Sequence, residues 1–124
     1  MRPIGKLRWA IAEGYIPPAS TGSGRALESH EAACILNASE HDAHIAITVY
    51  FSDRAPAGPF HITVPAERTL RLRFNDLRDP ESVPPGTDYA SVLESDMPVV
   101  VQHTRLDSRQ AELALLSTVA YGSD

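Results

Sequence analysis

From His44 to Phe51 the chain alternates strictly, with Ile45, Ile47, Val49 and Phe51 separated by Ala46, Thr48 and Tyr50. A period of two puts the four apolar side chains on one side of an extended backbone, so the segment predicts a half-buried β-strand and not a helix. Leu70, Leu72 and Phe74 repeat the pattern, which turns Arg71, Arg73 and Asn75 to the opposite face. Two clusters rich in proline, glycine and small polar residues, Pro17 to Gly24 and Asp79 to Gly86, read as long loops. Further strands are expected at roughly 7–12, 30–38, 59–64, 89–94 and 98–106. Short strands broken by turn signals, with no amphipathic helix between them, predict an all-β fold. The expected form is a single-domain antiparallel β-sandwich over residues 1–124, jelly-roll-like, with little or no helix.

The C-terminal segment supports two readings. Asp107-Ser108-Arg109-Gln110 resembles a helix cap, and the helix formers Ala111 to Leu116 follow it. The tail from Leu116 to Tyr121 is more strand-like, so a capped turn leading into a last strand is the alternative.

Size and charge narrow the function. A chain of 124 residues has room for one folded domain. Apolar runs such as Met97 to Val101 fall far short of the roughly 20 residues that cross a bilayer, so a soluble chain is expected. Behind Arg2, Lys6 and Arg8, the apolar stretch Trp9 to Ala12 ends at Glu13, too soon for a signal peptide, and a cytoplasmic location is expected. The net charge of -5 supplies no general field toward phosphate backbones, so nucleic-acid binding would need a local patch. Cys34 is the sole cysteine, which excludes an intramolecular disulfide and a cysteine zinc cluster; among Ala32, Ala33, Ile35 and Leu36 it reads as a small buried hydrophobe.

No motif makes a positive case for catalysis. His41 and His44 could be joined on paper to Glu31, His61 or His103 as metal ligands, but residues three apart on a strand face opposite ways. Ser29, His30 and Glu31 contain the residue types of a hydrolytic triad, yet adjacent residues rarely meet in that geometry. Gly22-Ser23-Gly24 reads as a flexible loop and not a phosphate cradle. No metal and no cofactor are expected.

Three polar groups remain as binding candidates. Arg71 and Arg73, within the basic stretch that also holds Arg68 and Arg78, share a strand face that could meet phosphate or a partner's carboxylates. If Val99 and Val101 face the core, His103 and Arg105 lie on that side at the strand's end. Gln102, His103, Arg105 and Asp107 then form a structural network or line a polar pocket. Trp9, in phase with Ile11 and Glu13, offers an aromatic face beside a carboxylate, suited to a sugar, a core or a subunit contact.

Longer strings carry a resemblance. Trp9 to Pro18, Ser29-His30-Glu31 followed by Cys34 to Ala38, Arg73 to Leu77, and above all Val100 to Glu112 are similar to the sensory rhodopsin transducer family from about residue 7 to residue 121. The resemblance implies a small cytoplasmic β-sandwich that assembles as a homotetramer and signals without known catalytic activity. Its type member partners a membrane-embedded photoreceptor and has been linked to DNA; other members are viewed as small-molecule binding domains, with sugars as one ligand class. It also implies a strand in the C-terminal segment. The ligand-binding expectation accordingly falls on Trp9, Glu13, Gln102, His103, Arg105 and Asp107, and the nucleic-acid or partner patch on Arg71 and Arg73.

Overall fold

A computed structural model describes residues 4–22 and 24–124; Arg2 and Ser23, named above, lie outside them. Eight strands follow one another, β1 (Lys6–Tyr15), β2 (His30–Asn37), β3 (Ala43–Phe51), β4 (Ala57–Val64), β5 (Arg68–Arg73), β6 (Asp88–Asp107), β7 (Ala114–Val119) and β8 (Tyr121–Ser123). The helical content among the described residues is two 3-10 turns, Arg25–Leu27 and Phe74–Asp76. Every pairing is antiparallel, which agrees with the all-β sandwich expected from the alternation. No helix among the described residues is long and apolar enough to cross a membrane.

The 20-residue β6 joins the two layers. Its first half pairs with β1 and β3, extended outward by β8 and β4. Its second half pairs with β2 and β7, extended by β5. The two segments expected at 89–94 and 98–106 are therefore one strand. The intervening Asp96, Met97 and Pro98 have no registered partner, because the β3 ladder ends at Ser95 and the β2 ladder begins at Val100. A proline is tolerated there since no ladder needs its missing N–H.

One apolar cluster fills the space between the layers. Ile45, Ile47 and Val49 of β3 are buried, as their spacing predicted, and meet Trp9, Ile35, Phe60, Phe74, Leu93 and Val101. Phe74, at the start of a 3-10 turn, packs tilted on Tyr89 with ring centroids 5.5 Å apart.

At the C-terminus the helical reading gives way to a turn and a strand. Asp107 does not cap a helix: its carboxylate accepts the Arg109 amide at 3.1 Å and the Arg109 guanidinium at 2.7 Å, a local turn geometry. The helix formers Leu115 and Leu116 then pair with Leu106 and Arg105 of β6, and ladder formation outweighs a propensity worth only tenths of a kcal/mol per residue.

Candidate functional site

A buried carboxylate organises the C-terminal half of β6. Glu31 on β2 stands in phase with Ala33 and Ile35, so the sheet turns it inward, and it is fully buried. Isolated, such a charge would be prohibitively costly, and the structure surrounds it with donors. Arg105 donates to Oε1 from Nη2 at 3.0 Å and from Nε at 3.3 Å, and the Tyr15 amide donates to the same oxygen. His103 Nε2 lies 2.7 Å from Oε2. Asn75, from the 3-10 turn after β5, accepts the Glu31 amide and donates to the Ser29 carbonyl, which fixes β2 in place at this level. His103 and Arg105 share one side of β6, as the two-residue period predicted.

These two side chains, with Glu13 and Thr118, supply polar groups to a cavity of about 420 Å³. Its other walls come from the Ala10 to Glu13 stretch of β1 and from Leu116 to Tyr121 at the β7–β8 turn. Glu13 stands at the rim, with Oε2 3.7 Å from Arg105 Nη1 and its side chain 87% exposed. A bulge brings it there. β1 places Ala12 and Glu13 between the Ile11↔Ser91 and Gly14↔Tyr89 pairs, where β6 has only Ala90, and the extra residue turns Glu13 out of the phase of Trp9 and Ile11.

Gly14 makes that bulge sterically feasible. A Cβ at this position would lie 2.5 Å from Cε2 of Tyr89, whose ring is buried against Phe74 and has nowhere to swing. Gly14→Ala is expected to lower stability by about 1–3 kcal/mol, the usual cost of overpacking. Urea unfolding checks this; a variant as stable as the parent would show that the bulge relaxes freely.

The other sequence candidates stand elsewhere. Trp9 is buried, and its Nε1 donates to the Val99 carbonyl at 2.9 Å and the Lys6 carbonyl at 3.1 Å, away from the Arg105 cavity. Gln102 faces the outer side of β6 and donates to Ser117 Oγ at 3.0 Å. Asp107 pairs with Arg109, whose hydrogen bonds hold its carboxyl below the usual carboxylate range, and lines a separate cavity of about 440 Å³ with Gln110 and Glu112. Glu31, the centre of the network, is absent from the expected binding set. Its signal was a glutamate in phase with the apolar Ala33 and Ile35 of the same strand.

The arginine face of β5 is engaged within the chain. Arg73 Nη1 bonds the Glu28 carboxylate at 3.2 Å and the Arg25 carbonyl at 3.1 Å. Arg71 donates to His30 Nε2 at 3.0 Å, with Nη1 3.7 Å from Cys34 Sγ, and Cys34 itself is half-buried. The buried His30 offers Nδ1 to the Glu28 carbonyl at 2.7 Å, which leaves Nε2 as the acceptor for Arg71 and identifies a neutral ring.

Burial pushes the pKa of His30 down. The charges of Arg73 and Arg71 act the same way, against the Glu28 carbonyl and carboxylate. Because the folded value lies below the unfolded one near 6.5, this contribution to stability is complete above that pH and is lost as pH falls through it. Urea midpoints at neutral pH and near pH 5 should therefore fall less in His30→Gln than in the parent; equal slopes would contradict the neutral assignment. Among the described residues no three histidine, cysteine or acidic side chains cluster as metal ligands; His44 pairs with Asp96 and His103 with Glu31.

Known proteins share this architecture. A solved structure described as "Anabaena sensory rhodopsin transducer" superposes with a TM-score of 0.73 at 56% identity, covering 82% of this chain and 98% of that one. A second, described as the crystal structure of Thermotoga maritima 1070, superposes with a TM-score of 0.86 at 33% identity and covers 96% of each chain. No curated protein matches the chain. The family profile described as "Anabaena sensory rhodopsin transducer" matches residues 4–122. That span runs from the first strand to the last and takes in Glu31, His103 and Arg105, and the chain belongs to the Anabaena sensory rhodopsin transducer family.

Proposed function

We propose that this chain is a non-enzymatic cytoplasmic signalling module, a single domain that works as a homotetramer and binds a small, uncharged, polyhydroxylated ligand such as a sugar in the Arg105 cavity. The observation that carries the reading is a fixed set of polar groups in a mostly apolar cavity. Arg105 and His103 are held in place by the buried Glu31, and Glu13 stands across from Arg105 at the rim. The volume of about 420 Å³ lies within the span of roughly 300–1,000 Å³ usual for small-molecule sites. Because Glu31 balances Arg105 and Glu13 adds an acceptor, the site favours hydroxyl groups over an anion.

A thermal-shift panel of neutral sugars and organic anions tests this, since a ligand that binds only the native state stabilises it by about 2.7 kcal/mol at one hundred times its Kd. Stabilisation by a neutral sugar, lost in Glu13→Ala, is expected; Glu13 is exposed enough to be removed without harm to the fold. A folded protein that responds to no sugar, or a Glu13→Ala variant that responds fully, would refute the reading.

A second reading rests on the 56% identity to a protein named for its photoreceptor: the module docks on a sensory rhodopsin and passes on its state. An acidic protein suits the basic cytoplasmic loops of membrane proteins. Light-dependent capture by a purified receptor tests it. DNA binding ranks below both, because Arg73 spends its charge on Glu28 and Arg71 is engaged with His30. A flat salt response of any DNA affinity would remove it.

A further inference from the structure

Two hydroxyls inside the core stand without partners. Tyr89 Oη and Ser91 Oγ are buried and make no hydrogen bond among the described residues. Ser29, Ser39 and Ser108, equally buried, all bond. Native interiors satisfy nearly every such group, with protein or with ordered water, so a pair of orphans on one strand calls for a partner.

Their placement is specific. Two apart on β6, both turn to the core side of the sheet. Tyr89 faces Gly14 and Ser91 faces Ile11, the pairs that bracket the bulge at Ala12 and Glu13, where one residue stands outside the ladder. Tyr89 also approaches the buried carboxylate. Its Cζ lies 2.6 Å from where a Cβ on Gly14 would stand, and the next residue, Tyr15, gives its amide to Glu31 Oε1. Burial raises the pKa of the Tyr89 hydroxyl, the charge of Glu31 adds to that rise, and Arg105 opposes it. Glu31 Oε1 receives Arg105 and the Tyr15 amide, whereas Oε2 receives only His103 among the described residues, so Oε2 has capacity for another donor.

We infer that ordered water held inside the fold joins the Tyr89 and Ser91 hydroxyls to the Glu31 carboxylate. The chemistry selects water. Two hydroxyls that donate and accept, with one carboxylate oxygen that accepts, supply the two to four polar partners an internal water needs. A cation is disfavoured, because Arg105 already balances Glu31. Neither hydroxyl lines the Arg105 cavity, so the site is separate from the one assigned to a sugar and does not depend on that reading. The bridge ties the first half of β6 to the carboxylate that positions His103 and Arg105 on its second half.

Tyr89→Phe, Ser91→Ala and the double variant test this, by urea unfolding and by oxygen-17 relaxation dispersion of water, on the full chain without ligand. Each single change deletes one oxygen and keeps the packing, and near-UV circular dichroism checks that it does. If both hydroxyls were dry, removing either would relieve an unpaired polar group and leave the protein at least as stable. With water bound to them, each single variant is expected to lower the folding equilibrium constant about tenfold. The double variant is expected to lose less than the product of the two factors, because the partners share one hydration site. Long-lived internal water is expected in the parent, and its relaxation signal should shrink in the double variant. Single variants as stable as the parent would overturn the inference. So would a loss of stability in Tyr89→Phe with an unchanged water signal in the double variant, which would mean that the hydroxyl reaches the carboxylate directly.

Discussion

Arg105→Met is expected to destabilise the fold by about 3–5 kcal/mol, and adding Glu31→Gln is expected to restore most of that loss. The single change leaves a fully buried carboxylate with only His103 and the Tyr15 amide as partners. What the single variant measures is chiefly the cost of an uncompensated buried charge, and a neutral amide at position 31 removes that cost. The pair should therefore be strongly non-additive in a double-mutant cycle by urea unfolding. Arg8→Met supplies the contrast. Its 3.5 Å pair with Glu94 has both side chains more than half exposed, and its loss should change stability by no more than about 0.5 kcal/mol. An Arg105→Met cost below about 1 kcal/mol, or no recovery in the double variant, would show that the network is hydrated and carries little energy. Since an apolar replacement of a buried ion pair is often no less stable, the folded double variant also gives a clean background in which to ask whether sugar binding is gone.

The strands were largely legible because burial on one face leaves a period of two, as in Ile45, Ile47 and Val49. What was not legible depends on partners distant in sequence. The break expected between the strands at 89–94 and 98–106 does not occur; β6 runs through it, because the strand changes layers there and no ladder constrains Asp96 to Pro98. Of the helix formers Ala111 to Leu116, the last three pair with β6 instead, and the first three form the turn that leads into it. In the site, His103 and Arg105 followed from their phase with Val99 and Val101, but Gln102 alternates to the outer face and Asp107 is drawn into the Arg109 turn. Trp9 and Glu13 were expected side by side on period two. The bulge at Ala12 and Glu13 parts them, and nothing local announces it except Gly14, whose missing Cβ makes room for Tyr89.

Trp9→Ala is expected to cost about 3–5 kcal/mol, the usual range for deleting a buried large aromatic side chain. Trp9 is the sole tryptophan and 7% exposed, and its position explains why the loss should be at the upper end. Its indole N–H donates to the carbonyl of Val99, the residue at which β6 leaves its pairing with β1 and enters the layer shared with β2 and β7. The ring thus fills the core and also binds the strand that carries Arg105 next to its unpartnered stretch, Asp96 to Pro98. β8 lies against the other side of the ring, where a Cβ on Gly122 would come within 3.0 Å of it. Trp9→Phe separates the two contributions. It keeps most of the apolar volume and leaves the Val99 carbonyl without its buried donor, for an expected cost of about 1–3 kcal/mol. Because the ring does not line the Arg105 cavity, folded Trp9→Phe should bind a sugar ligand with the parental affinity, while Glu13→Ala does not. Unfolding followed by circular dichroism, with calorimetric titration of the sugar, separates the two outcomes: a Trp9→Phe variant of parental stability and lost affinity would make the tryptophan a binding residue instead of the pin of β6.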